Sequence, residues 1–212
     1  MKHITTLITI LVISLLSSPS WSETVTMDEL VQRNDLYYKQ FTNVPFSGGV
    51  SGKDNGRIKG GKREGPWVSY HTNGQLMLTT KYEDGERDGL LFAYHDNGQL
   101  RLTTKYEDGE KDGPEVWYWA NAQLRAKGNY KDGKKDGLWF NNYKSGKLKS
   151  QGNYKDGKKD GYWFVEYESG RYKYKGTCLN GKASSFSEYD DSDIKIYYFT
   201  DDSEGDTLLC QP

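Results

Sequence analysis

Along most of this chain apolar and polar residues alternate, and the alternation restarts every 24 residues. Leu76, Leu78, Thr80 and Tyr82 share one parity of a run whose other parity holds Thr79 and Lys81. The same frame gives Leu100, Leu102, Thr104 and Tyr106, then Leu124, Ala126, Gly128 and Tyr130, then Leu148, Ser150, Gly152 and Tyr154. A period of two with one apolar parity predicts the half-buried strand of an antiparallel sheet. The run before it is apolar on both parities. Val68, Phe92, Val116, Phe140 and Phe164 hold one position, and Trp67, Leu91, Glu115, Trp139 and Trp163 the position before. That strand is expected either to be covered on both sides or to present an aromatic strip to solvent.

Two turn signals separate the strands. Asn73-Gly74, Asn97-Gly98, Asn121-Ala122, Ser145-Gly146 and Ser169-Gly170 predict tight hairpin turns, because Asn and Gly both tolerate positive φ. The Asp-Gly-x-x-Asp-Gly segments, of which Asp84, Gly85, Asp88 and Gly89 form the first, predict a longer turn. The nine residues from Asn129 recur unchanged from Asn153. A fixed period of this size marks an array whose units lean on their neighbours. The expected fold is all-β, an elongated repeat array of stacked antiparallel β-hairpins over residues 48–182, with a short N-terminal helix cap.

The ends read differently. Thr26-Met27-Asp28-Glu29 has the spacing of a capping box and predicts a short helix near Leu30 to Gln32. With a strand over Leu36 to Phe41 it makes an N-terminal cap of residues 23–47. Asn55-Gly56 is read as the turn of a shortened first repeat. After Gly181 the register is expected to be lost, leaving an acidic C-terminal cap of residues 183–212 with a closing strand over Ile194 to Phe199.

Composition changes the picture in two ways. Only 34% of the 212 residues are hydrophobic while 14% are aromatic and 24 are Gly. That argues for thin sheets covered by Tyr and Trp rather than a thick core. The net charge of −1 supplies no field to attract nucleic acid or an anionic membrane. Lys2 and His3, the apolar run Ile4 to Leu16 and small residues up to Ser22 predict a signal peptide over residues 1–22, cleaved after Ser22. The apolar run is too short to span a bilayer comfortably. The mature chain is therefore expected in the periplasm or secreted, with no stable membrane insertion. The two cysteines, Cys178 and Cys210, are expected to pair there. Cys178 stands where every other unit places its core-facing Tyr, so the bond would close the end of the array.

Candidate chemistry is sparse. His71 and His95 occupy equivalent positions, but no third metal ligand repeats with them. Neither the repeat loops nor Asp201 to Asp206 has calcium-loop spacing. No Ser–His–acid or Cys–His pairing offers a nucleophile. The reading is a non-enzymatic chain with no metal and no cofactor. Lys81, Arg101, Lys105 and Arg125 lie beside acidic loops that cancel their field, which disfavours nucleic acid. What remains is a binding set: Trp67, Tyr70, Tyr94, Trp117, Trp119, Trp139 and Trp163 with Arg101 and Arg125. Aromatics with Arg favour a protein partner. Saccharide stacking and homo-oligomerisation stay open.

The pattern G-x-W-x-x-Y-x-x-N-G-x-L, carried by Gly65, Trp67, Tyr70, Asn73, Gly74 and Leu76, is followed by G-x-Y-x-D-G-x-x-D-G, as at Gly128, Tyr130, Asp132, Gly133, Asp136 and Gly137. Together they resemble the MORN-repeat variant found in bacterial YwqK-type antitoxins. The resemblance spans about Phe46 to Lys182 and implies a stacked-hairpin scaffold and an antitoxin or immunity role. Leu91 and Glu115 depart from it at the Trp position, and Ala122 at the turn Gly.

Overall fold

A computed structural model of the chain describes residues 23–190, 192, 194–200 and 210. The predicted signal peptide and Asp201 to Asp206 lie outside the described residues. The N-terminal strands are β1 (Thr24–Val25), β2 (Leu30–Arg33), β3 (Leu36–Lys39), β4 (Gly48–Val50) and β5 (Asp54–Lys59). The array follows as β6 (Lys62–Tyr70), β7 (Leu76–Glu83), β8 (Glu86–Arg87), β9 (Gly89–Tyr94), β10 (Leu100–Glu107), β11 (Glu110–Tyr118) and β12 (Leu124–Lys131). It continues through β13 (Lys134–Asn142), β14 (Leu148–Lys155), β15 (Lys158–Glu166), β16 (Tyr172–Leu179), β17 (Lys182–Tyr189) and β18 (Lys195–Thr200). Among the described residues, sixteen strands form one sheet in sequence order, with β1 parallel beside β4 and the later neighbours antiparallel. β2 and β3 pair separately. The predicted closing strand is β18.

The predicted N-terminal helix is replaced by one 3₁₀ turn, Met27–Glu29. The capping box is present: the Thr26 N–H and hydroxyl both donate to Glu29 Oε1, at 2.9 and 3.0 Å. It starts a turn that cannot propagate, because Leu30 to Arg33 is taken by pairing with Leu36 to Lys39. A short helix is marginal alone, and the strand pairing wins.

The two turns exchange roles relative to the sequence reading. Asp84 and Gly85 have φ of 48° and 91°, and Glu83 pairs directly with Glu86. That is the two-residue type I′ hairpin. At the other end only Gly74 is left-handed (φ 82°), while Asn73 stays outside the positive-φ region. Gly74 N–H donates to the His71 carbonyl at 2.9 Å, and His71 N–H to that of Gln75 at 2.8 Å. This is a three-residue loop closed by a glycine bulge. Asn73 is there because its Oδ1 accepts the Gln75 N–H at 3.0 Å, bracing the loop from its own side chain.

The bulge also corrects the strand parity. Ser69 pairs with Leu78 but Tyr70 pairs with Leu76, so Leu76 turns to the face opposite Leu78. The same shift recurs at Leu100, Leu124 and Leu148. Asn55-Gly56 is no turn either. It lies inside β5, where Gly56 sits beneath the Trp67 indole. Past Gly181 the ladder does not stop: β17 pairs with β16 and places Phe186 opposite Gly176.

Strands pack chiefly on their hydrogen-bonded neighbours, so the two faces of one sheet are the two surfaces of the array. One face holds the core in three clusters. Val25, Leu30, Phe46, Val50, Ile58, Trp67 and Tyr82 form the first. Leu91, Ala93 and Leu102 form a thin central one. Trp139, Tyr154, Trp163, Phe186 and the Cys178–Cys210 disulfide form the last. The predicted disulfide is thus in place, with Cys178 at the inward Tyr position.

Candidate functional site

On the closed face, each buried Trp is fixed by three contacts. Trp139 lies over the neighbouring strand at Gly128, where an added Cβ would meet the indole at 2.0 Å. Its Nε1–H donates to the Asn129 carbonyl at 3.0 Å. Tyr130 and Tyr154 meet it edge-on with ring centroids 5.3 and 6.0 Å away. Trp163 repeats the arrangement over Gly152, donating to Asn153 at 2.9 Å. Trp67 repeats it over Gly56, donating to Arg57 at 3.2 Å. The pattern needs Gly under Trp. Where the unit carries Leu91 or Glu115 instead, Thr104 stands opposite on the neighbouring strand.

A row of cations lies along the same face. Arg63, Arg87, Lys111, Lys135 and Lys159 hold one position of successive units, each over a ring, at 4.6–5.9 Å from the centroids of residues in the array. Burial pulls Lys135 and Lys159 below the ordinary lysine value. Burial would do the same to Lys111, but its hydrogen bond and charge pairing with Glu115 carry it above that value. Sequence reasoning treated these cations as loop residues. Their exact 24-residue recurrence on an inward parity was the signal that could have found them.

The open face carries the other parity. Val68, Thr79, Phe92, Thr103, Val116, Lys127, Phe140, Gln151, Phe164 and Lys175 follow one another from strand to strand across it. Beside this line, Leu90, Leu138 and Tyr162 are 56%, 49% and 52% exposed. Tyr162 and Tyr172 flank Phe164, with centroids 6.2 and 5.8 Å from its ring.

The predicted binding set is therefore split. Trp67, Trp139 and Trp163 are 2%, 4% and 2% exposed and belong to the core, which withdraws their rings from any partner. Tyr70 and Tyr94 are half-buried on the open face, opposite Leu76 and Leu100. Trp117 is half-buried on the closed face, its Nε1–H held by Glu115 at 2.7 Å. Arg125 covers Trp119 at 4.6 Å and Trp117 at 5.7 Å. Arg101 is exposed.

His71 and His95 have a task that the sequence did not reveal. His71 Nε2 lies 3.0 Å from the Tyr94 carbonyl, and His95 Nε2 the same distance from that of Tyr118. The equivalent Trp119, Tyr143 and Tyr167 donate to the carbonyls of Asn142, Glu166 and Tyr189 at 3.3, 2.6 and 3.2 Å. The shared feature is a ring-borne N–H or O–H that stitches one turn to the next. Asn73, Asn97 and Asn121 add a parallel stitch, each Nδ2 reaching the next turn's carbonyl at 2.9 Å. Tyr143→Phe is expected to cost about 1 kcal/mol, the net worth of one such bond, read as a lower urea midpoint at unchanged slope.

Residues 63–84, 87–108, 111–132 and 135–156 each match the family model described as the MORN repeat variant. The chain carries four MORN repeat variants. Each match begins one residue into a β6-type strand, at the cation of the closed-face row, and ends at the Asp of the type I′ turn. A MORN repeat here is thus one hairpin, and β15 and β16 continue the series in register. No curated protein matches the chain, and so no named relative stands behind the YwqK-type likeness. Among the solved structures to which the chain is similar is the GtfA/B complex bound to UDP and GlcNAc, at 12% identity over 65% of this chain and a TM-score of 0.19. The chain spans a quarter of that chain's length.

Proposed function

We propose that this chain is an exported, non-enzymatic MORN-repeat scaffold that captures a protein partner on its open face. The observation that carries the reading is the exposure of Leu90, Leu138 and Tyr162 beside the Phe92, Phe140 and Phe164 line. Aliphatic and aromatic side chains that recur along one face of a sheet, with lysines between them, have the make-up of an interface centre with a polar rim. The disulfide supports an oxidising compartment, in line with the predicted signal peptide. Toxin neutralisation would be one instance of such capture.

The test is affinity capture from envelope extract by the mature chain and by a Leu138→Glu, Tyr162→Glu variant. Both positions are about half exposed, so the variant is expected to keep its far-UV spectrum and thermal midpoint. Loss of the captured protein in the variant supports the open face. Equal recovery by both, or none by either, removes it.

A further inference from the structure

The cation row of the closed face lies on the opposite side of the sheet from the Phe92, Phe140 and Phe164 line. Successive units place Arg63, Arg87, Lys111, Lys135 and Lys159 at every second strand, about 10 Å apart for strands spaced ~4.8 Å. The array itself shows what these cations hold. Glu115 occupies the position of the buried Trp in its unit, is 3% exposed, and receives the Lys111 ammonium and the Trp117 Nε1–H. Arg87 and Lys135, the cations on either side of Lys111, make no ion pair among the described residues. The Lys135 ammonium rests 4.6 Å from the Trp139 centroid and 4.8 Å from that of Tyr154. Arg87 lies between Tyr82 and Tyr106, at 5.9 and 5.4 Å, with its Nε buried and without a hydrogen-bond partner among the described residues. A cavity of about 190 Å³ opens between Glu115, Arg125 and Lys135. A partly desolvated cation without an anion is costly, and a carboxylate supplied from outside would relieve that cost.

We propose that this face binds an acidic polypeptide segment laid along the array, with a carboxylate at about every third residue. Three residues of polyproline II advance ~9.3 Å and return to the same side of the helix, which matches the cation spacing. The rings beneath are met edge-on by one another and covered by the cations, so they offer no open face on which a sugar could stack. That favours a peptide over an anionic saccharide.

The test uses the full mature chain and a fluorescein-labelled Glu-Pro-Pro repeat peptide of about 15 residues, ~45 Å long, followed by anisotropy at low salt. The same peptide with Gln for Glu, and an oligogalacturonate, serve as comparators. The Glu peptide is expected to bind saturably and the Gln peptide not to bind. Lys135→Met and Arg125→Gln are each expected to weaken binding about tenfold, the size of one lost charge-assisted contact. Lys127→Gln, on the open face, is expected to leave it unchanged. Arg125 is exposed, so its variant remains informative if Lys135→Met fails to fold. Equal affinity across all three variants would overturn the proposal. So would tighter binding of the oligogalacturonate, lost in the same two variants.

Discussion

Trp139→Ala is expected to cost about 3–5 kcal/mol, at the upper end for a single substitution. The whole stability of a domain is usually about 5–15 kcal/mol. The magnitude follows from what surrounds the indole. Two edge-on tyrosines lose their partner, each pair worth about 0.5–1.5 kcal/mol beyond buried area. The Asn129 carbonyl loses its donor. The space cannot refill from below, because the floor is Gly128. Leu138, the preceding residue, points the other way and is half exposed, so Leu138→Ala is expected to change stability by about 0.5 kcal/mol or less. Urea titrations of the two variants side by side give the check. A Trp139→Ala loss as small as that of Leu138→Ala would mean that the closed face is not the core. The converse substitution gives the same answer from the other partner: a methyl at Gly128 would sit 2.0 Å from the indole, and such overpacking costs roughly 1–3 kcal/mol.

This contrast explains what could and could not be read from the sequence. The 24-residue period fixes the hairpins, and it places Cys178 inward at a Tyr position. Both expectations need only alternation and register. Which face closes is a different matter, because Trp67 and Val68 are adjacent and both apolar. Pattern alone ranks them equally. The deciding feature is the Gly opposite Trp, visible as Gly128 before Trp139 and Gly152 before Trp163, but meaningful only once strand pairing is known. The turns misled for a related reason. Asn-Gly and Asp-Gly both satisfy a type I′ preference, and the choice between them rests on bonds made across units. Asn97 is committed to the Ala120 carbonyl in the next turn, a contact between residues 23 apart that no local window contains. The cation row escaped because lysines beside Asp-Gly read as solvated turn residues, whereas Lys135 pairs with Tyr130 on the inward face.

The two ends of the array show how a single-layer sheet is finished, and they set the second large effect. At the N-terminal end, the cluster of Val25, Leu30 and Phe46 packs onto Ile58 and Trp67 without a covalent link. At the C-terminal end Cys210 packs with Trp163 and Phe186 through its bond to Cys178, both sulfur-bearing residues being almost fully buried. Reduction, or Cys210→Ala, is therefore expected to cost about 3–4 kcal/mol, the chain-entropy value for a loop closed across 32 residues. Because each hairpin is held mainly by its neighbours, that loss should be local. Hydrogen exchange is expected to accelerate in β15 to β17 and to stay near its original rate in β6 and β7. Uniform acceleration would show instead that the array opens as one cooperative unit. No acceleration would show that Trp163 and Phe186 hold the end without the bond. The asymmetry has a physical cause. The central cluster of Leu91, Ala93 and Leu102 is thin, and Glu115 interrupts the aromatic stack beside it. Little stabilisation can pass from the N-terminal cluster to the last hairpins through such a middle, and so the far end is secured by its own covalent link.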